Sequence, residues 1–147
     1  MKNLMKLTAF VLFISFVSCQ KFADGGLVKK ADTRITNTWK LQSYLVDGVE
    51  ATQSLLISNL IETYSEDGTY SRSYNDTDGA AFDEAGRWNL PDKAEVIDIT
   101  GVSSLELSDQ HSTVSSDHYN INRMKKDEYW YSYTNGGATH EFRFVPL

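Results

Sequence analysis

Residues 60–74 read LIETYSEDGTYSRSY, and this stretch carries the pattern of a β-hairpin. A run ending at Tyr64 leads into Glu-Asp-Gly at residues 66–68, which is a strong turn signal because glycine accepts the backbone angles of a tight turn. Residues 69–74 then alternate with a period of two, as the two faces of a strand do. The stretch therefore predicts two antiparallel strands joined at Gly68, to which we assign a structural role.

The residues before this hairpin allow two interpretations. Leu56, Ile57, Leu60, Ile61 and Tyr64 follow helical spacing, so a short helix near residues 50–57 is one alternative and a strand is the other. We predict a strand over 60–64, because that run leads directly into the turn and the alternating strand after it.

Short strands and turns recur from Trp39 to the end of the chain. Turn signals lie at residues 47–48, 91–93, 125–127 and 135–137, and the segments between them are rich in Tyr, Thr, Ile, Val and Trp. Eight strands of about 10 residues with seven turns of about 4 would need about 108 residues. The pattern predicts an all-β fold, an antiparallel up-and-down barrel of about eight or nine strands. A β-sandwich would need the same number of residues, strands and turns.

The first 18 residues have the organisation of a secretory signal peptide. Lys2 and Lys6 precede a mostly apolar run, residues 7–17. Eleven helical residues span about 16 Å, well short of a bilayer core about 30 Å thick, so this run does not predict a membrane-spanning helix. Residues 16–19, Phe-Val-Ser-Cys, resemble the lipobox of bacterial lipoproteins; the alternative is an ordinary signal peptide with an incidental cysteine.

The lipobox resemblance implies a lipid anchor at Cys19, the only cysteine in the chain. A diacylglyceryl group and a third acyl chain would hold the domain on a membrane without a spanning helix. Gln20, where an Asp would favour inner-membrane retention, implies delivery to the outer membrane of the cell envelope, facing either the periplasm or the outside. We predict a signal peptide over 1–18, the lipidated cysteine and a flexible tether over 19–36, and the folded domain over 37–147.

Charge and cysteine content narrow the classes of function. The chain has 20 acidic and 14 basic residues, a formal net charge of −6. Such a chain lacks the excess of cations that nonspecific nucleic-acid binding requires, so we predict no nucleic-acid partner. A single cysteine excludes a disulfide framework and a zinc site built mainly on thiolates. The oligomeric state is not indicated.

Motifs for catalysis, cofactor binding or metal binding are absent from the sequence. There is no GxSxG and no glycine-rich phosphate loop, and the three histidines have no metal-ligand spacing. The acidic residues 75–84 invite comparison with an EF-hand loop, but aligning Gly79 with its glycine places Tyr74 and Ala85 where ligands are required. A solvated hairpin loop is the better interpretation. We predict a noncatalytic protein with no cofactor and no metal.

Five segments occur in an order that resembles the lipocalin-like domain of small bacterial lipoproteins. They are NTWKL at 37–41, YSEDGTY at 64–70, GRWNL at 86–90, YNINRM at 119–124 and EFRFVP at 141–146. The resemblance covers about residues 37–147 and implies a calycin-type barrel with a central cavity. It also implies a structural Trp39 at the closed end, covered by a late arginine, for which Arg143 is the candidate. Alternation with Phe142 and Phe144 instead places Arg143 on the outer face.

Two interpretations of the aromatic interior remain open. The rings line a cavity for a small hydrophobic or amphipathic ligand, or they fill an eight-stranded barrel that is only just wide enough for side chains. A filled barrel would make the protein a structural or interaction lipoprotein that binds an envelope protein or a glycan through its loops. A cavity of about 300 Å³ or more would favour ligand binding. The candidate lining residues are Tyr70, Trp88, Tyr119, Tyr129, Tyr131, Phe142 and Phe144.

Overall fold

The strands pair in chain order, and the last one closes on the first. The computed structural model describes residues 31–91, 95–103, 105 and 118–147. Within them lie one short helix, one 3-10 turn and nine strands. Their bounds are α1 Ala31–Ile35, β1 Asn37–Val46, β2 Val49–Glu50, a 3-10 turn Thr52–Ser54, β3 Ser58–Tyr64, β4 Thr69–Asn75, β5 Ala81–Asn89, β6 Val96–Thr100, β7 His118–Met124, β8 Tyr129–Asn135 and β9 Ala138–Pro146.

All strand pairs are antiparallel, and pairing of β1 with β9 closes an eight-stranded barrel. The closing register runs from Trp39 opposite Pro146 to Val46 opposite His140. The short β2 is an extra strand that pairs with the end of β1. The predicted all-β up-and-down barrel is therefore confirmed, and the sandwich alternative is excluded. In the described part of the chain, no helix has the length and apolar character needed to cross a membrane.

One end of the barrel carries α1, and we call it the helix end. Ile35 is fully buried there, and the indole Nε1 of Trp39 donates a hydrogen bond of 2.8 Å to the Ile35 carbonyl. Residues 31–36 were assigned to the flexible tether from sequence, yet the structure places a helix and a core side chain in them. The described fold thus includes residues 31–36, ahead of the predicted start of the domain at Asn37. Residues 1–30, with the predicted signal peptide and Cys19, lie outside the described residues.

Residues 50–57 form neither the short α-helix nor a continuous strand: Glu50 ends β2, and no strand follows before β3. Only residues 52–54 make a 3-10 turn, and β3 begins at Ser58. Leu60, Glu62 and Tyr64 alternate into the interior and are all buried, which a helix could not achieve against a neighbouring strand. The prediction of a strand over 60–64 is confirmed.

The turn between β3 and β4 has the geometry that the sequence predicts. Gly68 adopts a φ of +81°, and its amide donates to the Ser65 carbonyl at 3.0 Å. Asp67 accepts hydrogen bonds through Oδ1 from the backbone amide and the hydroxyl of Thr69. Positive φ is the conformation that glycine adopts at little cost, so the structural role assigned to Gly68 follows from its backbone.

A second glycine permits close approach of β5 and β6. Gly86 lies on the inward face of β5, between Glu84 and Trp88. A Cβ atom at this position would lie 2.1 Å from the Thr100 carbonyl oxygen and 3.1 Å from Cγ1 of Val102. The chain leaving β6 therefore crosses directly over Gly86.

Gly86→Ala is expected to lower the free energy of unfolding by about 1–3 kcal/mol or more, because the added methyl group overlaps backbone atoms that cannot move independently. Urea denaturation measures the change. The control is Ala85→Ser, at the adjacent exposed position, which should change stability by less than about 0.5 kcal/mol. Equal effects of the two substitutions would contradict the close approach at Gly86.

Candidate functional site

The barrel interior contains a buried acidic group surrounded by tyrosines. Glu62 is 1% exposed. Its Oε2 accepts a hydrogen bond from the hydroxyl of Tyr64 at 2.6 Å, and its Oε1 accepts from those of Tyr70 and Tyr131 at 2.9 Å each. Glu62 and Tyr64 lie on β3, Tyr70 is paired with Tyr64 on β4, and Tyr131 reaches across from β8. We call these four residues the Glu62 cluster.

Burial governs the ionisation of the cluster. Removal from water raises the pKa of Glu62 above the ordinary carboxyl value of 4.5, although the three tyrosine hydroxyls and the nearby Arg72 act in the opposite direction. Burial, together with the Glu62 charge, raises the pKa values of Tyr64, Tyr70 and Tyr131 well above 10.0. The phenols are therefore hydrogen-bond donors throughout the physiological pH range.

A row of charges extends from Glu62 across two more strands. Arg72 on β4 is the direct partner of Glu62 on β3 and of Glu84 on β5. Its side chain is only 4% exposed, and its Nε contacts Oε2 of Glu84 at 2.5 Å. Burial opposes ionisation of Glu84, but hydrogen bonds from Ser103 and Arg72 leave the pKa of Glu84 lowered overall. Arg72 and Glu84 thus form a charged pair at the edge of the interior.

The chain after β6 is fastened to this charged pair. Arg72 Nη2 donates to the Ser103 carbonyl, and the Ser103 amide donates to Oε1 of Glu84 at 3.2 Å. Leu105, two residues later, is 4% exposed and belongs to the hydrophobic core. We call residues 102, 103 and 105 the plug, because Val102 and Leu105 pack against the core and Ser103 ties them to Arg72 and Glu84.

Only a small space remains beside the Glu62 cluster. Its volume is about 10 Å³, about that needed for one water molecule. This is far below the 300 Å³ or so expected of a ligand cavity, so this space among the described residues has no room for a small-molecule ligand in this conformation. The residues around the space are Glu62, Tyr70, Arg72, Ile99, Leu105, Tyr119, Tyr131 and Phe142.

A second polar layer lies at the barrel end opposite α1, which we call the mouth. The Tyr44 hydroxyl and Nδ1 of His140 are 2.6 Å apart, and the ring of Tyr133 stacks on His140 with centroids 4.8 Å apart. Burial raises the pKa of Tyr44 to about 12 and raises that of Tyr133 further. The Tyr133 hydroxyl is buried and has no hydrogen-bond partner among the described residues.

The structure brings together four of the seven predicted lining residues around the small space: Tyr70, Tyr119, Tyr131 and Phe142. Tyr129 and Phe144 are fully buried nearer the helix end, where Tyr129 packs against Trp39. Trp88 is 8% exposed, and its Nε1 donates to the Ser65 carbonyl at 2.9 Å. All seven are core residues, and their role in ligand binding stays a prediction.

Sequence reasoning did not assign four polar residues to the interior, which are Glu62, Arg72, Tyr44 and His140. A usable signal was present for two of them, Glu62 and Arg72. Glu62 stands between Leu60 and Tyr64 with a spacing of two, so a strand that buries both neighbours buries Glu62 as well. For Arg72, the same argument applies through Tyr70 on β4.

Arg143 lies on the outer face, as alternation along β9 predicts. Its guanidinium lies 4.3 Å from the ring centroid of Trp130, and its Nε contacts Oε1 of Glu141 at 2.7 Å. Arg123 approaches the same indole ring at 4.7 Å. The late arginine therefore covers Trp130 and not Trp39, whose indole instead binds the Ile35 carbonyl.

Metal and calcium sites have no support within the described residues. No group of three or more histidine, cysteine or acidic side chains could hold a metal ion there. In the 75–84 stretch, Asp76 uses its Oδ1 to accept from the amides of Asp78 and Ala80, which closes a turn between β4 and β5. The hairpin-loop interpretation is confirmed.

Comparison with known proteins supports the fold. No family model matches the chain, and no curated protein matches it in sequence. A lipocalin-like protein from Bacteroides uniformis superposes with a TM-score of 0.50 at 13% identity, over 78% of this chain and 99% of the other. This chain has a lipocalin-like calycin fold. At this identity the likeness concerns the fold alone.

Two other solved lipocalins show weaker similarity. Japanin from Rhipicephalus appendiculatus, solved bound to cholesterol, has a TM-score of 0.47 at 15% identity, over 76% of this chain and 75% of the other. Lobster apocrustacyanin A1 has a TM-score of 0.37 at 11% identity, over 77% of this chain and 61% of the other.

Replacement of the buried carboxyl tests the electrostatics of the Glu62 cluster. A raised folded-state pKa means that the folded chain holds the Glu62 proton to higher pH than the unfolded chain does. Glu62 therefore lowers the free energy of unfolding as pH rises from about 4.5 through the raised pKa. Glu62→Gln removes this titration, so its stability relative to wild type should increase over that interval and then level off.

Urea denaturation of both proteins between about pH 4 and about pH 8 measures this difference. Glu66→Gln, an exposed charge-matched control four residues away, should change stability by less than about 0.5 kcal/mol. If the stability of Glu62→Gln relative to wild type stays constant or falls as pH rises, burial does not dominate the pKa of Glu62.

Proposed function

We propose that this chain is a membrane-anchored, noncatalytic binding protein that takes a small amphipathic molecule at the Glu62 cluster. One observation carries the proposal. A buried carboxylate, three phenol hydroxyls and a guanidinium converge inside an aromatic barrel, beneath the plug that Ser103 fastens to Arg72 and Glu84.

Burial of a carboxylate stabilises a core less than burial of an apolar side chain of similar volume. Removing a charge from water costs several kcal/mol, and well-packed apolar residues of similar volume are often at least as stable. Charged groups in such positions therefore mark candidate functional sites. An ionised carboxylate has about four acceptor positions, and the tyrosines occupy three of them. One acceptor position of Glu62 is therefore left, and Glu62 borders the small space.

The surroundings define the class of ligand. Tyr119, Phe142 and Ile99 border the same space and would contact an apolar chain or ring. A head group that donates a hydrogen bond, such as an alcohol or an ammonium group, would complete the coordination of Glu62. A carboxylate head group would meet like charge at Glu62. The ligand would take the volume of the Leu105 side chain, so binding requires the plug to move.

The acid–base groups do not indicate catalysis. Within the described interior, Glu62 is engaged by tyrosines and Arg72 is engaged by Glu84 and Ser103. None of these groups forms the nucleophile–base pair or the paired acids that hydrolytic chemistry requires. We therefore assign the cluster to binding.

A second candidate function is a filled barrel that acts as an interaction lipoprotein. The observation that favours it is the volume of about 10 Å³ beside Glu62, which leaves no room for a ligand unless the plug moves. In that case the interior polar network orders the core, and the exposed loops bind an envelope protein or a glycan.

Leucine deletions distinguish the two functions. Leu105→Ala should admit octylamine and octanol in preference to octanoate, because it opens the space next to Glu62. The matched control is Leu60→Ala, which removes the same atoms from a buried position on β3 outside that space. Each variant is expected to lose about 2–5 kcal/mol of stability. Leu105→Val is the milder variant if Leu105→Ala does not fold.

Native mass spectrometry of the full chain, released from detergent micelles, measures the bound probes. Adding Glu62→Gln to Leu105→Ala should weaken octylamine binding about tenfold, because a charge-assisted hydrogen bond becomes a neutral one. Solvent extraction of the wild-type protein should release an amphipathic compound. An empty extract, together with equal probe binding by Leu105→Ala and Leu60→Ala, would favour the filled barrel.

The anchor is a separate part of the proposal. The lipobox-like residues 16–19 support acylation of Cys19, and Gln20 supports outer-membrane delivery. Cys19→Ser should abolish incorporation of labelled palmitate and move the protein from the membrane to the soluble fraction, because the anchor depends on acyl chains. Intact-mass measurement of the mature chain checks the acylation, and separation of membrane and soluble fractions checks the location. An unacylated, freely soluble wild-type protein would contradict the anchor and leave the barrel proposal unaffected.

A further inference from the structure

A second hollow lies on the outer surface of the barrel, next to the β3–β4 turn. Its volume is about 360 Å³, within the range of about 300–1,000 Å³ that is usual for small-molecule sites. We call it the outer cleft, and the residues that shape it are Asp67, Arg87, Trp88, Asn89, Asp98 and Thr100.

Strand pairing and backbone hydrogen bonds set the shape of the outer cleft. Arg87 and Asn89 alternate outward on β5, where their direct partners on β6 are Thr100 and Asp98. The turn that carries Asp67 is fastened to β5, because the Trp88 amide donates to the Gly68 carbonyl at 3.0 Å. The groups of the cleft are therefore positioned by the barrel and not by a free loop.

The side-chain hydrogen-bond donors of the outer cleft, Arg87 and Asn89, have no partners among the described residues. On the other side of the barrel, Arg123 is paired with Glu128 and Arg143 with Glu141. The side chains of Arg87 and Asn89 make no hydrogen bond or ion pair with any residue in the described ranges, although two carboxylates line the same cleft.

The acceptors of the cleft are partly used. Asp98 contacts His118 Nδ1 through Oδ1 at 2.5 Å, and Asp67 binds Thr69 through Oδ1. Hydrogen bonds from Thr69, with a contribution from the charge of Arg87, lower the pKa of Asp67. Both side chains keep Oδ2, which has no hydrogen-bond partner in the described structure. The cleft thus offers donors and acceptors side by side.

The polar side chains of the outer cleft favour one chemical class of ligand. The cleft holds two carboxylates, of which Asp98 contacts His118, and one guanidinium; this balance and the net charge of −6 on the whole chain disfavour an anionic ligand. An apolar ligand would leave the polar groups unpaired, at a cost in free energy. Hydroxyl groups both donate and accept, so a molecule with several of them satisfies Arg87, Asn89, Asp67 and Asp98 together.

We propose that the outer cleft binds a neutral polyhydroxylated ligand, a monosaccharide unit of a glycan. Arg87 and Asn89 donate hydrogen bonds to its oxygens, and Oδ2 of Asp67 and of Asp98 accept from its hydroxyls. The inference deepens the second candidate function by naming a surface site and a ligand class. It does not depend on whether the plug opens the interior.

Saturation-transfer NMR on the full chain tests the cleft, in a zwitterionic detergent that carries no sugar head group. The probes are glucose, galactose, mannose and N-acetylglucosamine, with glucuronate and inorganic phosphate as charged comparisons. At least one neutral sugar should receive saturation from the protein and be displaced by neither charged probe. Arg87→Ala and Asn89→Ala should each weaken its binding, with a loss of about tenfold for Arg87→Ala.

The control for Arg87→Ala is Lys126→Ala, which removes one positive charge from an exposed turn elsewhere and should bind the sugar as wild type does. Leu105→Ala should also bind as wild type, which separates the cleft from the interior site. Absence of saturation transfer to all four neutral sugars, stronger binding of glucuronate or phosphate, or unchanged affinity in Arg87→Ala would each overturn the proposal.

Discussion

The Glu62 carboxylate is the constraint around which the interior is organised. Its two oxygens receive hydroxyl groups from β3, β4 and β8, so one side chain ties together opposite walls of the barrel. A carboxylate this deeply buried is stable only while those donors are held in place. Any change that widens the barrel would therefore leave a charge or a phenol unsatisfied, which costs more than the loss of an ordinary contact.

The Arg72–Glu84 pair connects the Glu62 cluster to the segment that follows β6. Arg72 faces Glu62 on one side and Glu84 on the other, and together Arg72 and Glu84 hold both polar backbone groups of Ser103. The segment that follows β6 is thus directed over Gly86 and into the interior, where Leu105 completes the core. The closed position of the plug therefore depends on polar contacts with Arg72 and Glu84 as well as on the apolar packing of Leu105.

Much of the fold was predictable because its determinants are local. The turn at Gly68, the alternation along β4 and β9, and the outward position of Arg143 all follow from a two-residue period and from turn chemistry. The start of the folded domain was misplaced, since α1 has only five residues and too little periodicity to be recognised. Its place in the structure comes from the burial of Ile35 in the barrel core, from the contact of α1 with β7, and from the hydrogen bond that the Trp39 indole donates to the Ile35 carbonyl.

The sequence by itself determined the class of fold, the central hairpin, the aromatic nature of the interior, and the expectation of a signal peptide over residues 1–18 followed by a lipidated Cys19. Only the tertiary structure decided how much empty space the barrel encloses and which polar groups meet inside it. The reason is the range of the interactions: Tyr131 donates to a carboxylate 69 positions earlier in the chain, and closure of β1 on β9 sets the distance between them. Local periodicity specifies the face on which a side chain lies, whereas its partner across the barrel depends on the register of every intervening strand.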